Sequence, residues 1–462
     1  MKKIITVIGG GSVNWMRGLM QDIYMIDEID GGEIRLVDPD EKLVNAVAAM
    51  LNTLNKLKGK AYSISVITDR RTALDGAEFV LTTFSPGSLD AFENDLQIPI
   101  KYGVRMPVSM TVGVCGISAA LRTVPVAYEI VQDMEEMCPN AWLLNVTNPM
   151  SCVTGAMNMA AKTVKVIGMC HEFHSLPSYL GSMLGLYKPD KMDVVTYLYD
   201  WLPKQGFDYT VAGINHFIWI TKAMLNGEDV LPRIKDFCFD NKSIEESGEA
   251  AQATTVFANN GEAKFALCRQ FGYLPMAGDR HLIEFYSSLC NNQTGFGMRF
   301  NVSKTTIEER QWWREKNYRH INSIAEEKEP LLWEKSGEEM TEIIKAVITG
   351  GTVTSIINAP NSGQISNMPD GYVVETLADI SADGIKPKDS GALPGAIGSL
   401  CRLHGDIQQM TVKAALEGDR KLLLEAMSLD PSTGVMNFME IPDLMNDLLD
   451  ANRQWLPRFF KQ

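Results

Sequence analysis

Six short, mainly aliphatic runs punctuate the first third of the chain: Ile4–Ile8, Ile34–Val37, Ser63–Ile67, Phe79–Thr82, Trp142–Leu144 and Val164–Ile167. Helical stretches separate them. One spans Leu121 to Met137, where Val126, Ile130, Val131 and Met134 fall on a single face. Continuous Val/Ile/Leu runs belong to strands buried on both faces, and alternation with helices predicts a doubly wound parallel sheet. The pattern changes after Pro177. Alternating residues in Met192–Tyr199 and Tyr209–Trp219 predict antiparallel strands, followed by Glu- and Lys-rich helices. The fold class expected is therefore α/β, a Rossmann-type sheet of the kind seen in lactate and malate dehydrogenases with a second, mixed α+β lobe. Residues 1–176 would form the dinucleotide-binding domain and 177–462 the substrate, metal and oligomerisation domain. The polar stretch Phe237–Ala251 reads as a helix running into a surface loop. The Gly- and Pro-rich stretch Gly384–Gly398 reads as an ordered loop near a subunit contact.

Composition narrows the function. With 43 Lys and Arg against 57 Asp and Glu, the net charge of -14 opposes phosphate backbones, so no nucleic-acid partner is expected. No run of about 20 apolar residues suggests a membrane span. The apolar start reads as a strand entering a glycine turn rather than a leader. Eight scattered cysteines without paired spacing suit reduced thiols and a cytoplasmic location.

Candidate chemistry gathers at strand ends. Gly9, Gly10, Gly11 and Ser12 follow the first run, where glycines let a pyrophosphate approach the amides of a helix N-terminus. Asp38 ends the second run and suits the ribose hydroxyls of NAD, although it suits equally a cap for a helix starting at Pro39. Cys170, His171, Glu172 and His174 follow the sixth run, where ligands bind in open α/β sheets. Cys170 and His216 together could hold a divalent metal; a small buried thiol and a hydrogen-bonded core histidine are the plainer readings. Gly278–Phe285 packs Asp279, Arg280, His281 and Glu284 into one segment, which surface charge would also explain. Asn148 suits a sugar contact or a helix cap. The sequon at Asn145 lies in a buried strand and is not a glycan site.

Taken together these segments resemble family 4 of the glycoside hydrolases, which depend on NAD and a divalent metal. The resemblance is carried by the glycine turn, Asp75–Val80, Ile98–Gly103, Leu121–Pro125, Asn145–Met150, Cys170–Glu172, Gly213–His216, Pro360–Gly363 and Met368–Pro369, in the family's order. It implies that Cys170 and His216 hold the metal, usually Mn2+, on the sugar's 2- and 3-oxygens. It further implies hydride transfer from C3 to NAD, removal of the C2 proton, elimination of the aglycone, water addition and re-reduction, with no net redox change. Paired carboxylates are not required. By the same resemblance Asp279 is the base with Tyr273 as runner-up, His171 assists the leaving group, and Asn148 and Arg299 contact the sugar.

The tetrad Cys-His-Glu-Phe is most similar to the Cys-His-Glu-Val of α-galacturonidases, which implies a short uronate-containing oligosaccharide as substrate. Arg122, Arg280 and Arg299 are then candidate partners for its carboxylate. α-Glucosidase, α-galactosidase and α-glucuronidase activities remain open within the family. A lactate- or malate-type dehydrogenase and an NAD-sensing protein lie further off. The resemblance also implies a homodimer or homotetramer. Val112–Ala119 departs from the Asp and Gly-Pro-Gly-Gly run of many members.

Overall fold

The computed structural model describes residues 1–244 and 261–460. Among the described residues, thirteen strands form one sheet. Its parallel half holds β1 (Lys2–Ile8), β2 (Gly31–Val37), β3 (Ala61–Val66), β4 (Phe79–Thr82), β5 (Trp142–Asn145) and β6 (Lys165–Gly168), in spatial order 3-2-1-4-5-6. Each of the six coincides with an aliphatic run of the sequence. Ile5, Val7, Ile34, Leu36, Val80, Leu143, Leu144 and Ile167 are fully buried, because helices cover both faces.

Beyond β6 the sheet turns antiparallel. The remaining strands are β7 (Phe207–Ile214), β8 (Phe217–Leu225), β9 (Glu228–Asp229), β10 (Leu274–Pro275), β11 (Thr352–Pro360), β12 (Val373–Ser381) and β13 (Gly384–Pro387). Only one residue pair, Asn358 and Gly168, joins β11 to β6. A Cβ on Gly168 would lie 2.6 Å from Thr154 Oγ1 and 2.9 Å from Asn358 Cβ, so close approach demands glycine at this seam. From there β11 pairs with β12, β12 with β7, and β7 with β8.

Two expectations change. Met192–Tyr199 is not a strand: Asp193 accepts the Thr196 amide, and a helical turn at Val194–Thr196 continues into a π-helical turn at Tyr197–Trp201. Burial of Val195, Tyr197, Leu198 and Leu202 serves a helical face, and only the first two mimic strand alternation. Gly384–Pro387 is the return strand of a hairpin on β12, so only residues 388–394 are loop before helix Gly395–Glu417. The predicted helix at Phe237 is the end of helix Leu231–Asp240; residues 245–251 of that prediction lie outside the described residues. The helix expected from Pro39 starts at Glu41, capped by Asp40.

Helix Gly113–Met137 takes in the divergent segment and is long and apolar enough to cross a membrane by length and composition, yet 78% of its most apolar stretch is buried inside the protein. Gly113 has φ +73°, and a Cβ there would strike Met106 Sδ. Within this helix Arg122 forms a buried ion pair with Asp95 at 2.6 Å, and Ser118 and Asn452 also donate to Asp95. Arg122 is thereby committed to the core and does not face a substrate.

Candidate active site

The functional residues converge on the carboxyl ends of β1, β2, β6 and β7. Val37 O receives the Gly9 and Gly10 amides at 2.9 and 3.0 Å, folding the chain sharply after β1. Gly9 has φ +92°, and a Cβ would fall 2.1 Å from Thr83 O, so no other residue fits. Gly11 leaves room for Asp38, whose Oδ2 accepts the Gly11 amide at 2.9 Å while Oδ1 accepts the Asp40 amide at 2.9 Å. Burial raises the Asp38 pKa, opposed by these two amides. Each oxygen keeps a further lone pair, and the carboxylate stands beside the turn where a ribose would lie.

Next to this turn an open cleft of about 660 Å³ runs between Val13–Leu19 and helix Ile307–Ala325. His171 lines it, with Trp15 at 5.7 Å between ring centroids and Glu338 on the opposite side. Glu338 Oε1 is 2.6 Å from His171 Nδ1. Burial would lower the His171 pKa, but the charge and hydrogen bond of Glu338 raise it to about 9. The ring is 47% exposed by area, so solvent weakens that pull without reversing it. An imidazolium thus faces the cleft at neutral pH.

Deeper in, Glu172, His216 and His281 present donor atoms within 4.8 Å of one another. His216 occupies the two-residue turn between β7 and β8 at φ +62°, a left-handed conformation uncommon for a side chain of this size. Its Nδ1 is 3.0 Å from Thr111 Oγ1, and its ring lies 3.8 Å from that of His281. The turn is held from below: Asn215 and Asn358 both donate to Glu375 Oε1, and burial pushes Glu375 up to about 8. Burial also brings His216 down to about 4 and His281 well below the usual range. Burial works the other way on Glu172, but the His281, His216 and His171 imidazoles and the Gly278 amide hold it down at about 2.

One carboxylate beside two neutral imidazoles is a donor set suited to a divalent cation. His281 Nδ1 is buried without a partner among the described residues, as an incomplete ligand shell would leave it. Cys170 precedes Glu172 by two residues but is not among the three converging groups; burial, with Glu375 and Glu172, keeps its thiol well above the ordinary range. A metal would be needed to ionise it.

The other expected site residues are placed as follows. Asp279 opens a short helix, Asp279–Leu282, in which residues two apart face different ways. His281 turns to the cluster, whereas Asp279 Oδ1 accepts the Lys264 amide at 3.0 Å in the first turn of helix Glu262–Phe271. Burial raises Asp279 to about 6, opposed by the Lys264 charge and by the Lys264 and Ala263 amides. Removing it, as Asp279→Ala, is expected to cost about 1–3 kcal/mol by stranding a buried amide, seen as a lower urea midpoint. Lost turnover beyond what that shift explains would mark it as the base. Tyr273 packs partly buried against the core just before β10. Asn148 accepts the Met150 amide at 3.2 Å in the turn that leads into helix Met150–Ala160. Arg299 is exposed. Sequence reading missed Thr111, Glu338 and Glu375 and underrated His281, whose segment had been singled out without a role for the imidazole.

The fold and site define a dinucleotide-binding α/β enzyme with a cation centre at the edge of its nucleotide cleft. The chain belongs to glycoside hydrolase family 4: the model for the family 4 glycosyl hydrolase matches residues 4–186 and that for its C-terminal domain residues 211–433. It is similar to an α-galacturonidase of Bacillus subtilis strain 168, 32% identical over 456 residues and 97% of each chain. A crystal structure from Bacillus subtilis described as a glucosidase superposes with a TM-score of 0.86 at 29% identity, covering 97% of this chain and all of that one. A 6-phospho-α-glucosidase from gut microorganisms, solved with NAD and Mn2+, shares the fold with a TM-score of 0.81 at 19% identity over 99% of each chain. The protein is accordingly a glycosidase of the NAD- and divalent-metal-dependent type, and its glycine turn, Asp38 and donor cluster fit both groups.

Asp38→Ala is expected to weaken NAD binding about tenfold to a hundredfold, the worth of charge-assisted hydrogen bonds. Titration of protein fluorescence with NAD checks this, and an unchanged affinity would leave Asp38 as a cap alone.

Proposed function

We propose that the protein is an α-galacturonidase acting on short galacturonides. The observation that carries this is the tetrad Cys170–Phe173, whose Glu172 joins the donor cluster, in a chain 32% identical to an α-galacturonidase over nearly its whole length. Glu172 lies 3.5 Å from His281 Nε2 within the donor cluster, so a bound cation would offset its charge toward the substrate's own carboxylate.

When bound, NAD and the divalent ion supply hydride acceptance and Lewis acidity for loss of the C2 proton. The protein's residues do the rest. Gly9, Gly11, Ser12 and Asp38 seat the nucleotide. His216 and Cys170 hold the cation, with Glu172 and His281 within reach. His171, kept protonated by Glu338, delivers a proton to the departing glycosidic oxygen. Asp279 fixes the helix that carries His281 and, with Tyr273 as the alternative, is the group to take the C2 proton.

Aryl α-galacturonide, α-galactoside, α-glucoside and α-glucuronide, each offered with NAD and Mn2+, test the reading. Release of aglycone from the galacturonide, without steady NADH accumulation, is the expected result. Turnover of a neutral glycoside with the galacturonide untouched would overturn it.

A further inference from the structure

A uronate differs from its parent hexose by a carboxylate at C6, so selecting it calls for a cation beside the sugar. Arg122 is paired with Asp95, and Arg299 is exposed. Arg310, in the first turns of helix Ile307–Ala325, is differently placed. Its guanidinium lies 5.6 Å from the centroid of the Phe92 ring, and its Nη2 is 3.6 Å from Met110 Sδ. Its Nε is buried and has no partner among the described residues. Burial and the like charge of Arg280 bring its pKa down to about 10.

The surrounding bonds tie this guanidinium to the site. Arg280 Nη2 donates to Pro107 O at 3.0 Å and to Thr305 Oγ1, and the Thr305 amide donates to the same carbonyl at 2.9 Å. Three residues beyond Pro107, Met110 touches Arg310. The next residue, Thr111, meets His216 Nδ1. Arg280 itself precedes His281. Two like charges therefore flank one segment, Pro107–Thr111, whose far end supports the cation centre. A guanidinium set among Met and Phe side chains with an unmet N–H is unfavourable until an anion completes it.

We propose that Arg310, with Arg280 beside it, is the subsite for the C6 carboxylate of the substrate, a specificity role that rests on the galacturonidase reading above. A planar fork suits a carboxylate, which can accept two parallel N–H bonds.

The test compares wild type with Arg310→Gln and Arg310→Lys on an aryl α-galacturonide, with free galacturonate and galactose as inhibitors. Arg310→Gln is expected to lose about a hundredfold in kcat/KM, mostly in KM. Inhibition by galacturonate should weaken by a similar factor while inhibition by galactose and affinity for NAD stay unchanged. Arg310→Lys keeps charge and stem and guards against misfolding; it should lose about tenfold, again in KM. A wild type that cleaves the galacturonide, with either folded variant equally fast, overturns the Arg310 assignment and leaves the substrate reading standing. A wild type that ignores the galacturonide overturns both.

Discussion

His216→Ala is expected to abolish metal-dependent turnover, lowering the rate about a thousandfold, because the Lewis acid it helps hold supplies several kcal/mol to the transition state. The ring stands within 4.8 Å of donors on Glu172 and His281. Without it, the Cys170 thiol, the Glu172 carboxylate and the His281 imidazole remain, and with the thiol outside the converging group that set is too weak to retain the ion through dialysis. Metal content by atomic absorption should fall with the rate. NAD affinity should not, since the glycine turn and Asp38 lie on other strands. A variant that keeps stoichiometric metal and a rate within tenfold of wild type would sink the assignment of the cation centre.

His171→Asn should separate substrates by their leaving groups. General acid catalysis contributes about 100- to 10,000-fold, and it matters most when the departing oxygen is basic. A sugar aglycone, a poor leaving group, should therefore suffer a loss of that order, whereas a nitrophenolate, which leaves unaided, should be nearly indifferent. Glu338→Gln should reproduce the pattern more weakly, because Nδ1 keeps a hydrogen-bond partner but loses the anion 2.6 Å away that holds the proton on the ring. Equal losses on both aglycones would mean that His171 acts before the bond breaks.

The parallel half was readable because its signal is local. A strand covered on both faces must be apolar at every position, so runs such as Phe79–Thr82 announce themselves, and a glycine turn after β1 has few other uses. The antiparallel half depends on partners remote in sequence. Asn358 and Glu375 look like surface residues on β11 and β12, yet both are buried beneath the Asn215–His216 turn and hydrogen-bonded to each other. Nothing local marks them. Glu338 is likewise one of several acidic residues before helix Met340–Thr349, and only the fold brings it to His171. Asp279 and His281 share one short motif in the sequence, and only the helical turn that carries them sends one side chain to the Lys264 amide and the other to the donor cluster.

The single pairing of Gly168 with Asn358 has a consequence for how the chain is made. During synthesis β6 is complete long before β11 leaves the ribosome, and until then its outer edge shows unpaired amides and carbonyls beside a finished nucleotide-binding half. Such an edge is a template for pairing with another nascent chain. The short run Lys165–Gly168 limits that exposure to four residues. A fragment ending after the first half would carry that edge permanently, and it should aggregate where the full-length enzyme does not.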